Sequence, residues 1–457
     1  MSDHLSEDHY WQLRAAEVEQ ALLARMPENK VEPRLSATAR AAELLGDPQK
    51  TYRVIHVTGT NGKTSTSRFI ERLLREHGLR TGRFTSPHLV KINERISLDG
   101  DPVSDERLFS VWNEIAPILE IVDAELETAG ENKLTFFEAL TVLGFAIFAD
   151  APVDVLVLEV GMGGTWDSTN IADGDVAVFT PISIDHADRL GNTLQEIANT
   201  KAGIIKSGAL VVSAIQHADA LTQLKQKAKD LADSFATYGA DFEVLESEPN
   251  ILGQTLTLRS IAGEYRELNL PVHGFYQAQN AALAVAAVEA FLGGGKQRIM
   301  DDVVRAAFAD FSSPGRLQVV SREPLTILDA AHNPDGAQSL ARALKDSFGS
   351  PYAIGVLSIL TDKNAREILE ALDDSLIEVV ITQSSSPRAI EAEQLAVLAR
   401  EILGEDRVTV QINAQWALAE AALKIPAGQP GAIVVTGSVT LVGDVLKLKQ
   451  IEAEQDE

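Results

Sequence analysis

The sequence predicts an α/β fold of two domains, each built around a mainly parallel, doubly wound sheet. Short apolar runs alternate with helix-like segments on both sides of Ser-Ser-Pro-Gly at 312–315, and such alternation is typical of parallel sheets. Residues 153–160 are apolar almost throughout, as in a strand covered on both faces. A glycine-bearing turn at 58–64 joins the first strand to a helix. We place the N-terminal domain at 1–313 and the C-terminal domain at 317–457.

The elements of the N-terminal domain follow from apolar periodicity and from the turn residues between the runs. The segment at 236–270 alternates in polarity and predicts a small antiparallel β element. The predicted helices are 8–25, 35–46, one after residue 62, 136–148, 196–205 and 278–292, and the predicted strands are 52–57, 83–85, 153–160, 175–184 and 210–215.

The C-terminal domain repeats the alternation, so we expect a Rossmann-like doubly wound sheet there. Helices separate five predicted strands, at 326–328, 353–357, 378–382, 408–411 and 432–436.

Composition limits the classes of partner. The chain has 457 residues, 45% of them hydrophobic, a formal net charge of -26 and no cysteine. Such an acidic chain is not expected to bind nucleic acid or an anionic membrane, which require a basic face. The lack of cysteine excludes disulfides and thiolate zinc sites. The apolar stretches 268–288 and 425–443 contain prolines and polar residues, so neither is expected to be a lipid-facing helix and we expect a soluble protein. The lack of cysteine fits a cytoplasmic location, and we expect a monomer.

The turn at 58–64 reads Thr-Gly-Thr-Asn-Gly-Lys-Thr. A turn of this kind directs backbone N–H groups and the positive end of a helix dipole at one point, which suits phosphate. Lys63 can then reach the terminal phosphates and Thr64 can ligate magnesium. The strict P-loop pattern requires glycine where this chain has Val57. An ordinary strand–helix turn therefore stays open as the alternative.

Polar residues follow several predicted strands, where doubly wound folds gather their ligands. Glu159 ends an apolar strand, Asp185-His186 follows the next, and Ser86 follows the short strand at 83–85. With Thr64 these side chains form a plausible oxygen-rich site for a hard cation. Alternatively, Glu159 is a salt-bridge partner and His186 a helix cap.

The motifs together resemble folylpolyglutamate synthase, including its bifunctional dihydrofolate synthase form, in the Mur ligase superfamily. The resemblance extends from about residue 30 to residue 445. The motifs stand in order along the chain: HVTGTNGKTST (56–66), FTSPHL (84–89), EVGMGG (159–164), SIDH (183–186), KAGI (201–204), PGR (314–316), DAAHNP (329–334) and TGS (436–438).

The resemblance implies an N-terminal P-loop-type ATPase domain, a C-terminal glutamate ligase domain, and an ATP-dependent amide ligase. A folate-type carboxylate is phosphorylated to an acyl phosphate, and the amino group of L-glutamate then displaces phosphate. The substrate is a folate, and dihydropteroate as well in bifunctional members. Phosphoryl activation suits this reaction, because oxide is a poor leaving group and two anions must be brought together by cations.

The resemblance also assigns roles to residues around ATP and two magnesium ions. The triphosphate would be held by Asn61, Gly62, Lys63 and Thr64. The metal ligands would be Thr64, Ser86, Glu159, His186 and Lys201, the last as a carbamate. On a second reading Lys201 is an unmodified lysine that pairs with phosphate or with Glu196. The groups at the transferring phosphoryl would be Lys63, Glu159, His186, Lys201 and Arg316.

Further positions match the family's nucleotide and substrate contacts. Asn280 matches the adenine-side asparagine, and Arg316 and Asp329 match ATP contacts, although Asp329 could instead cap the helix starting at Pro334. The expected substrate residues are Thr135, Phe137, Asp167, His332 and Ser438. One of the rings of Phe136 and Phe137 is expected in the core.

The chain departs from the family at Gly164-Thr165-Trp166, where members usually carry an arginine. This change removes a positive donor next to the pteroate site.

Two other functions compete with the folate ligase. A peptidoglycan-precursor ligase of the same superfamily is disfavoured by the TSPHL and TFFE segments at 85–89 and 135–138. A P-loop switch or motor NTPase would hydrolyse ATP without any dependence on glutamate.

Overall fold

The computed structural model describes residues 6–27, 30, 32–349 and 352–456, and side chains up to residue 451. The chain forms two compact units. One contains the chain up to Glu243 together with Leu258–Tyr265 and Asn280–Ala307. The other contains Val244–Thr257, Arg266–Gln279 and the chain from Phe308 onward.

An eight-stranded, mainly parallel sheet lies at the centre of the first unit. Its order is β4-β3-β2-β5-β1-β6-β7-β8, and only the pairs β2–β3 and β3–β4 are antiparallel. The strands are β1 (Arg53–Thr58), β2 (Thr81–Phe84), β3 (Ile96–Leu98), β4 (Asp101–Pro102), β5 (Val155–Glu159), β6 (Val176–Phe179), β7 (Leu210–Ser213) and β8 (Ser234–Thr237).

The helices predicted before the second series of strands are present, and α9 and α10 each have residues in both units. The long helix α4 was missed because Pro117 interrupts its pattern. The helix predicted at 196–205 ends as an α-helix at Lys201 and continues as a 3₁₀ turn. The helices are α1 (Glu7–Leu23), α2 (Ser36–Leu44), α3 (Lys63–Glu76), α4 (Asp105–Thr128), α5 (Phe136–Asp150), α6 (Ala187–Leu190), α7 (Leu194–Lys201), α8 (Ala218–Leu231), α9 (Phe275–Gly293) and α10 (Asp301–Ala309).

The small β element is a three-stranded sheet in the order β11-β10-β9, formed by β9 (Glu243–Asn250), β10 (Gly253–Arg259) and β11 (Glu264–Leu270). The predicted start of this element was wrong, because Ser234–Thr237 pairs in parallel with β7 in the large sheet.

The second unit contains a six-stranded sheet in the order β12-β13-β17-β14-β15-β16. The five predicted strands are parallel, and an unpredicted edge strand, β12, pairs antiparallel with β13. The strands are β12 (Gln318–Arg322), β13 (Leu325–Leu328), β14 (Tyr352–Leu357), β15 (Glu378–Ile381), β16 (Val408–Val410) and β17 (Gly431–Thr436), and the helices are α11 (Pro334–Ala343), α12 (Ala365–Leu372), α13 (Ala392–Leu403), α14 (Ala414–Lys424) and α15 (Val439–Asp456). The predicted fold class is confirmed.

The cores follow from the strand sequences. All five residues of β5 are buried, as the continuous apolar run predicts. Separate apolar clusters pack against the large sheet and within the second unit. In the described part of the chain, no helix is long and apolar enough to cross a membrane.

Candidate active site

The turn at 58–64 lies at the carboxyl edge of the large sheet, between two neighbouring strand ends. Val57 pairs with Glu159 of β5, and Thr58 pairs with Phe179 of β6. β1 is therefore a central strand whose end is flanked on both sides. This is the edge at which doubly wound folds bind ligands.

Two glycines shape the turn. Gly62 immediately precedes α3 with φ +87°, and Gly59 has φ +148°. A Cβ atom on Gly59 would lie 1.9 Å from Thr180 Oγ1, and one on Gly62 would lie 2.6 Å from Asn280 Oδ1. The turn thus requires glycine at both positions, and Asn280 lies directly against the start of α3. This contact places the predicted adenine-side residue beside the predicted phosphate loop.

Two lysines converge on one carbonyl oxygen in this turn. Lys63 Nζ donates to the carbonyl oxygens of Gly59 at 3.2 Å and Thr60 at 3.1 Å. Lys201 Nζ donates to the same Gly59 oxygen at 2.8 Å. The loop therefore collects positive charge locally, although the chain as a whole is acidic.

Lys201 is almost fully buried, with 4% of its surface exposed. Burial, reinforced by the charge of Lys63, lowers the pKa of Lys201 to about 7, against the opposing effect of Asp185 and Asp167. Glu196 instead caps its own helix start through Thr193. The alternative pairing of Lys201 with Glu196 is therefore wrong.

Glu159 is the last residue of β5 and is 1% exposed. Its Oε1 accepts a hydrogen bond from Thr64 Oγ1 at 3.1 Å. A buried carboxylate next to a hydroxyl at the first turn of a helix fits a magnesium ion, which typically takes one or two carboxylates plus phosphate oxygens and water. No group of three or more His, Asp or Glu residues forms a metal cluster in the described ranges.

Ser86 and His186 lie further from their strands than the sequence predicted. Ser86 follows the end of β2 by two residues and is 8% exposed. The strand predicted at 175–184 ends at Phe179, so the placement of Asp185-His186 directly at its end was wrong. Residues 180–186 instead form a loop held to the turn at 58–64, because Thr60 Oγ1 donates to the Ser183 carbonyl at 3.1 Å. His186 occupies the N-cap position of α6 with φ +50° but makes no side-chain capping bond.

Thr135 and Phe137 lie at the start of α5. Thr135 is the N-cap and accepts from the Glu138 amide at 3.2 Å, while Glu138 accepts from the Thr135 amide in return. Phe136 is 4% exposed and belongs to the core, whereas Phe137 is half-buried. The Phe137 ring lies against the backbone of Gly161, where a Cβ would approach it to 2.5 Å.

Asp167 is buried in the loop that follows Gly163-Gly164. Its carboxylate accepts from the amides of Met162 at 2.8 Å and Thr169 at 3.0 Å. Burial raises the pKa of Asp167 against the effect of these bonds. Thr165, at the position where the family usually carries arginine, is exposed and donates from Oγ1 to the Thr200 carbonyl at 2.9 Å.

In the second unit, Asp329 is buried and organises the chain around Arg316. Its carboxylate accepts from the amides of Leu317 and Ala331, both at 2.9 Å, and from Tyr276 Oη at 3.2 Å. Burial raises its pKa, and Arg316 opposes that rise. The cap of α11 is Asn333, which accepts from the Gly336 amide at 2.8 Å. The alternative role of Asp329 as that helix cap is therefore wrong.

His332 and Ser438 follow two strands of the same unit, four residues after β13 and two residues after β17. His332 Nδ1 is 2.9 Å from the Ala330 carbonyl, to which it donates. Ser438 is fully buried, and its Oγ accepts from the Thr440 amide at 3.1 Å at the start of α15.

Sequence reasoning missed the roles of residues that act on the site through others. It placed Asp185 beside His186 after a strand, but it did not foresee that Asp185 raises the pKa of Lys201. His56 and Thr169 bond each other beneath the loop that carries Asp167. Nothing in a single sequence pairs residues so far apart.

Comparison with known protein families gives two successive matches along the chain. Residues 57–288 match the Mur ligase middle domain, and residues 315–439 match the Mur ligase glutamate ligase domain. The two matched regions are thus those of a Mur ligase.

Individual relatives show to which family of Mur ligases the chain belongs. A Mycobacterium tuberculosis protein named dihydrofolate synthase/folylpolyglutamate synthase is 42% identical, over 93% of this chain and 92% of the relative. A Lacticaseibacillus casei folylpolyglutamate synthase is 34% identical over 90% and 95%. The chain belongs to the folylpolyglutamate synthase/dihydrofolate synthase family of Mur ligases.

Solved structures agree with this assignment. The structure of Mycobacterium tuberculosis folylpolyglutamate synthase complexed with ADP has a TM-score of 0.92 at 41% identity and covers 96% of this chain and 99% of that one. An Escherichia coli FolC structure in complex with DHPP and ADP has a TM-score of 0.82 at 28% identity, with 97% and 98% covered.

Proposed function

We propose that this protein is an ATP-dependent ligase that adds L-glutamate to folates, and to dihydropteroate as well. The observation that carries the proposal is the phosphate turn itself. Lys63 and Thr64 begin α3 beside the buried carboxylate of Glu159. Family membership supplies the acceptor chemistry, and the relatives bound to ADP or AMPPCP support ATP as the phosphoryl donor.

The chemistry proceeds in two balanced steps. A carboxylate oxygen of the folate attacks the γ-phosphorus of ATP, the bond to the β-phosphate oxygen breaks, and ADP leaves. The amino group of glutamate then attacks the acyl carbon, a proton is lost, and phosphate departs with the electrons of the C–O bond. Each step brings anions together, so fixed positive groups lower its barrier.

Residues of the first unit suit the phosphoryl step. The amides at the start of α3 and the Lys63 ammonium would hold the triphosphate, with Gly62 allowing close approach and Asn280 beside it. Asn61 completes this turn. Magnesium, when bound, neutralises the phosphates, and Thr64, Glu159, Ser86 and His186 would hold it.

Lys201 is proposed to carry a carbamate that serves as a further metal ligand. A pKa of about 7 leaves much of the amine neutral near pH 7, and the neutral amine is the form that attacks carbon dioxide with loss of a proton. A carbamate would also replace a cation that repels magnesium with an anionic oxygen.

Residues of both units are proposed for the substrates. Thr135, Phe137 and Asp167 would bind the pteridine, where a ring can stack and a carboxylate can accept from its amino group. Arg316 and Asp329 would contact ATP, while His332 and Ser438 would bind glutamate. We propose the domain limits 1–313 and 317–457, which the matches at 57–288 and 315–439 support.

The test is phosphate release with ATP, magnesium, glutamate, and either tetrahydrofolate or dihydropteroate. We expect release only with both co-substrates, together with a glutamylated product, and none from Lys63→Ala. ATP hydrolysis that ignores glutamate and folate would favour a switch NTPase and reject the ligase.

A further inference from the structure

The 3₁₀ turn at Ser168–Ile171 directly follows Asp167, and its polar residues Ser168, Thr169 and Asn170 are buried. Thr169 Oγ1 donates to Asp167 Oδ1 at 2.5 Å and lies 3.0 Å from His56 Nε2 on β1. Thr169 and His56 are fully buried. Asp167 is thereby connected through one hydroxyl to the strand that leads into the phosphate turn.

A second series of hydrogen bonds connects the same turn to α5. Ser168 Oγ is 2.9 Å from Thr141 Oγ1, and Thr141 in turn donates to the Phe137 carbonyl at 2.7 Å. Ser168 and Thr141 are also buried. Ser168, the neighbour of Asp167, is therefore hydrogen-bonded through Thr141 to α5, the helix whose first turn carries Phe137.

The directions of the hydrogen bonds between His56, Thr169 and Asp167 follow from which of these groups can donate a hydrogen. Burial lowers the pKa of His56 to about 3, so its ring is neutral. The Thr169 hydroxyl gives its single hydrogen to Asp167 and therefore accepts from His56 Nε2–H. Met162 donates to the other Asp167 oxygen at 2.8 Å. His56 thus fixes the orientation of the Thr169 hydroxyl, and that hydroxyl fixes the orientation of the Asp167 carboxylate.

A further contact strengthens the connection to β1. Thr58 Oγ1 donates to the Gly163 carbonyl at 2.9 Å. Thr58 and His56 are two residues apart on β1, so their side chains lie on the same face of the strand. Both bond to the segment 161–171, Thr58 to Gly163 and His56 to Thr169. The loop that carries Asp167 is thus built on the same strand as the phosphate turn.

We propose that Thr169 and Ser168 are positioning residues that hold Asp167 and Phe137 at the separation a pteridine ring requires. The proposal rests on the proposed function and deepens it, because it assigns substrate affinity to residues that do not contact the substrate. Removing the Thr169 hydroxyl takes from His56 Nε2 its buried partner and from Asp167 one of three hydrogen bonds, since the amides of Met162 and Thr169 remain. The unsatisfied ring nitrogen and the weakened hold on the carboxylate are costly for the local geometry.

The test is Thr169→Val, which keeps the shape of the side chain and removes the hydroxyl. We expect KM for dihydropteroate or tetrahydrofolate to rise about tenfold or more, on the scale of one lost buried hydrogen bond. KM for ATP and kcat at saturation should stay within about threefold. Thr169→Ser should restore the wild-type KM.

The control is Thr222→Val at an exposed position of α8, where the hydroxyl donates to the Ala218 carbonyl at 2.8 Å. It should leave all kinetic constants unchanged. If Thr169→Val does not fold, Ser168→Ala provides the same test, because it removes the bond between the turn and Thr141 on α5. An unchanged KM for the pteridine substrate, or equal losses for all three substrates, overturns the proposal. A wild-type enzyme that ligates no glutamate rejects the proposed function instead.

Discussion

Replacement of Gly62 by alanine tests the shape of the phosphate turn. Gly62 has φ +87°, and an added Cβ would meet Asn280 Oδ1 at 2.6 Å. Gly78, just beyond the other end of α3, has φ +90° and nothing within 4 Å of an added Cβ. The pair Gly62→Ala and Gly78→Ala therefore shares its backbone strain and differs in the steric contact.

The expected magnitudes follow from these two terms. The left-handed conformation costs about 1–2 kcal/mol at either position, and the contact with Asn280 adds an overpacking cost of about 1–3 kcal/mol in Gly62→Ala alone. Gly62→Ala must also open the contact from 2.6 Å toward 3.4 Å, a shift of about 0.8 Å in a turn whose geometry sets the reaction. Misplacement on the order of 1 Å can cost ~100-fold in rate. We expect kcat/KM for ATP to fall ~10–100-fold in Gly62→Ala and less than about twofold in Gly78→Ala.

The assay combines steady-state kinetics with calorimetric titration of ADP and thermal melts of both variants. Gly62→Ala should melt at a lower temperature than Gly78→Ala, and at temperatures where both are folded nucleotide affinity should separate the two proteins. Equal nucleotide affinities in the two variants would refute the steric reasoning, whether both are weakened or both are normal.

Two further predictions concern buried charges at the site. Glu159→Gln keeps the contact with Thr64 but removes the charge, so the magnesium concentration for half-maximal rate should rise at least about tenfold; an unchanged requirement removes Glu159 from the ligand set. Lys201→Met should abolish ligation yet stabilise the nucleotide-free protein. The folded pKa is lowered to about 7 from 10.5, so the wild-type penalty is full below pH 7 and fades as the pH rises toward 10.5. Melts showing the same gain at pH 6 and pH 10 contradict this.

The parts of the site that follow strand ends were predictable from sequence. Glu159 and the turn before Lys63 depend on local apolar patterns and on strand order, because parallel strands bring their carboxyl ends to one edge. The register that pairs Val57 with Glu159 was not needed for that inference. The end of β6 was predicted too late, because the apolar run continues into a loop that bonds to Thr60.

The bonding inside the site was beyond the sequence. Asp167 has the residue type of a ligand contact, but only the fold reveals that its oxygens accept from Met162 and Thr169. The lowered pKa of Lys201 depends on burial and on Lys63, which is distant in sequence. Such terms arise from long-range packing, which a single sequence does not encode locally.

The most direct measurement follows the oxygen of the substrate carboxylate. A folate or dihydropteroate labelled with oxygen-18 in its carboxylate is turned over with ATP and glutamate, and the released phosphate is analysed by mass spectrometry. Activation through an acyl phosphate predicts that one labelled oxygen appears in the phosphate for each glutamate added. Glutamylated product accompanied by unlabelled phosphate would contradict the account.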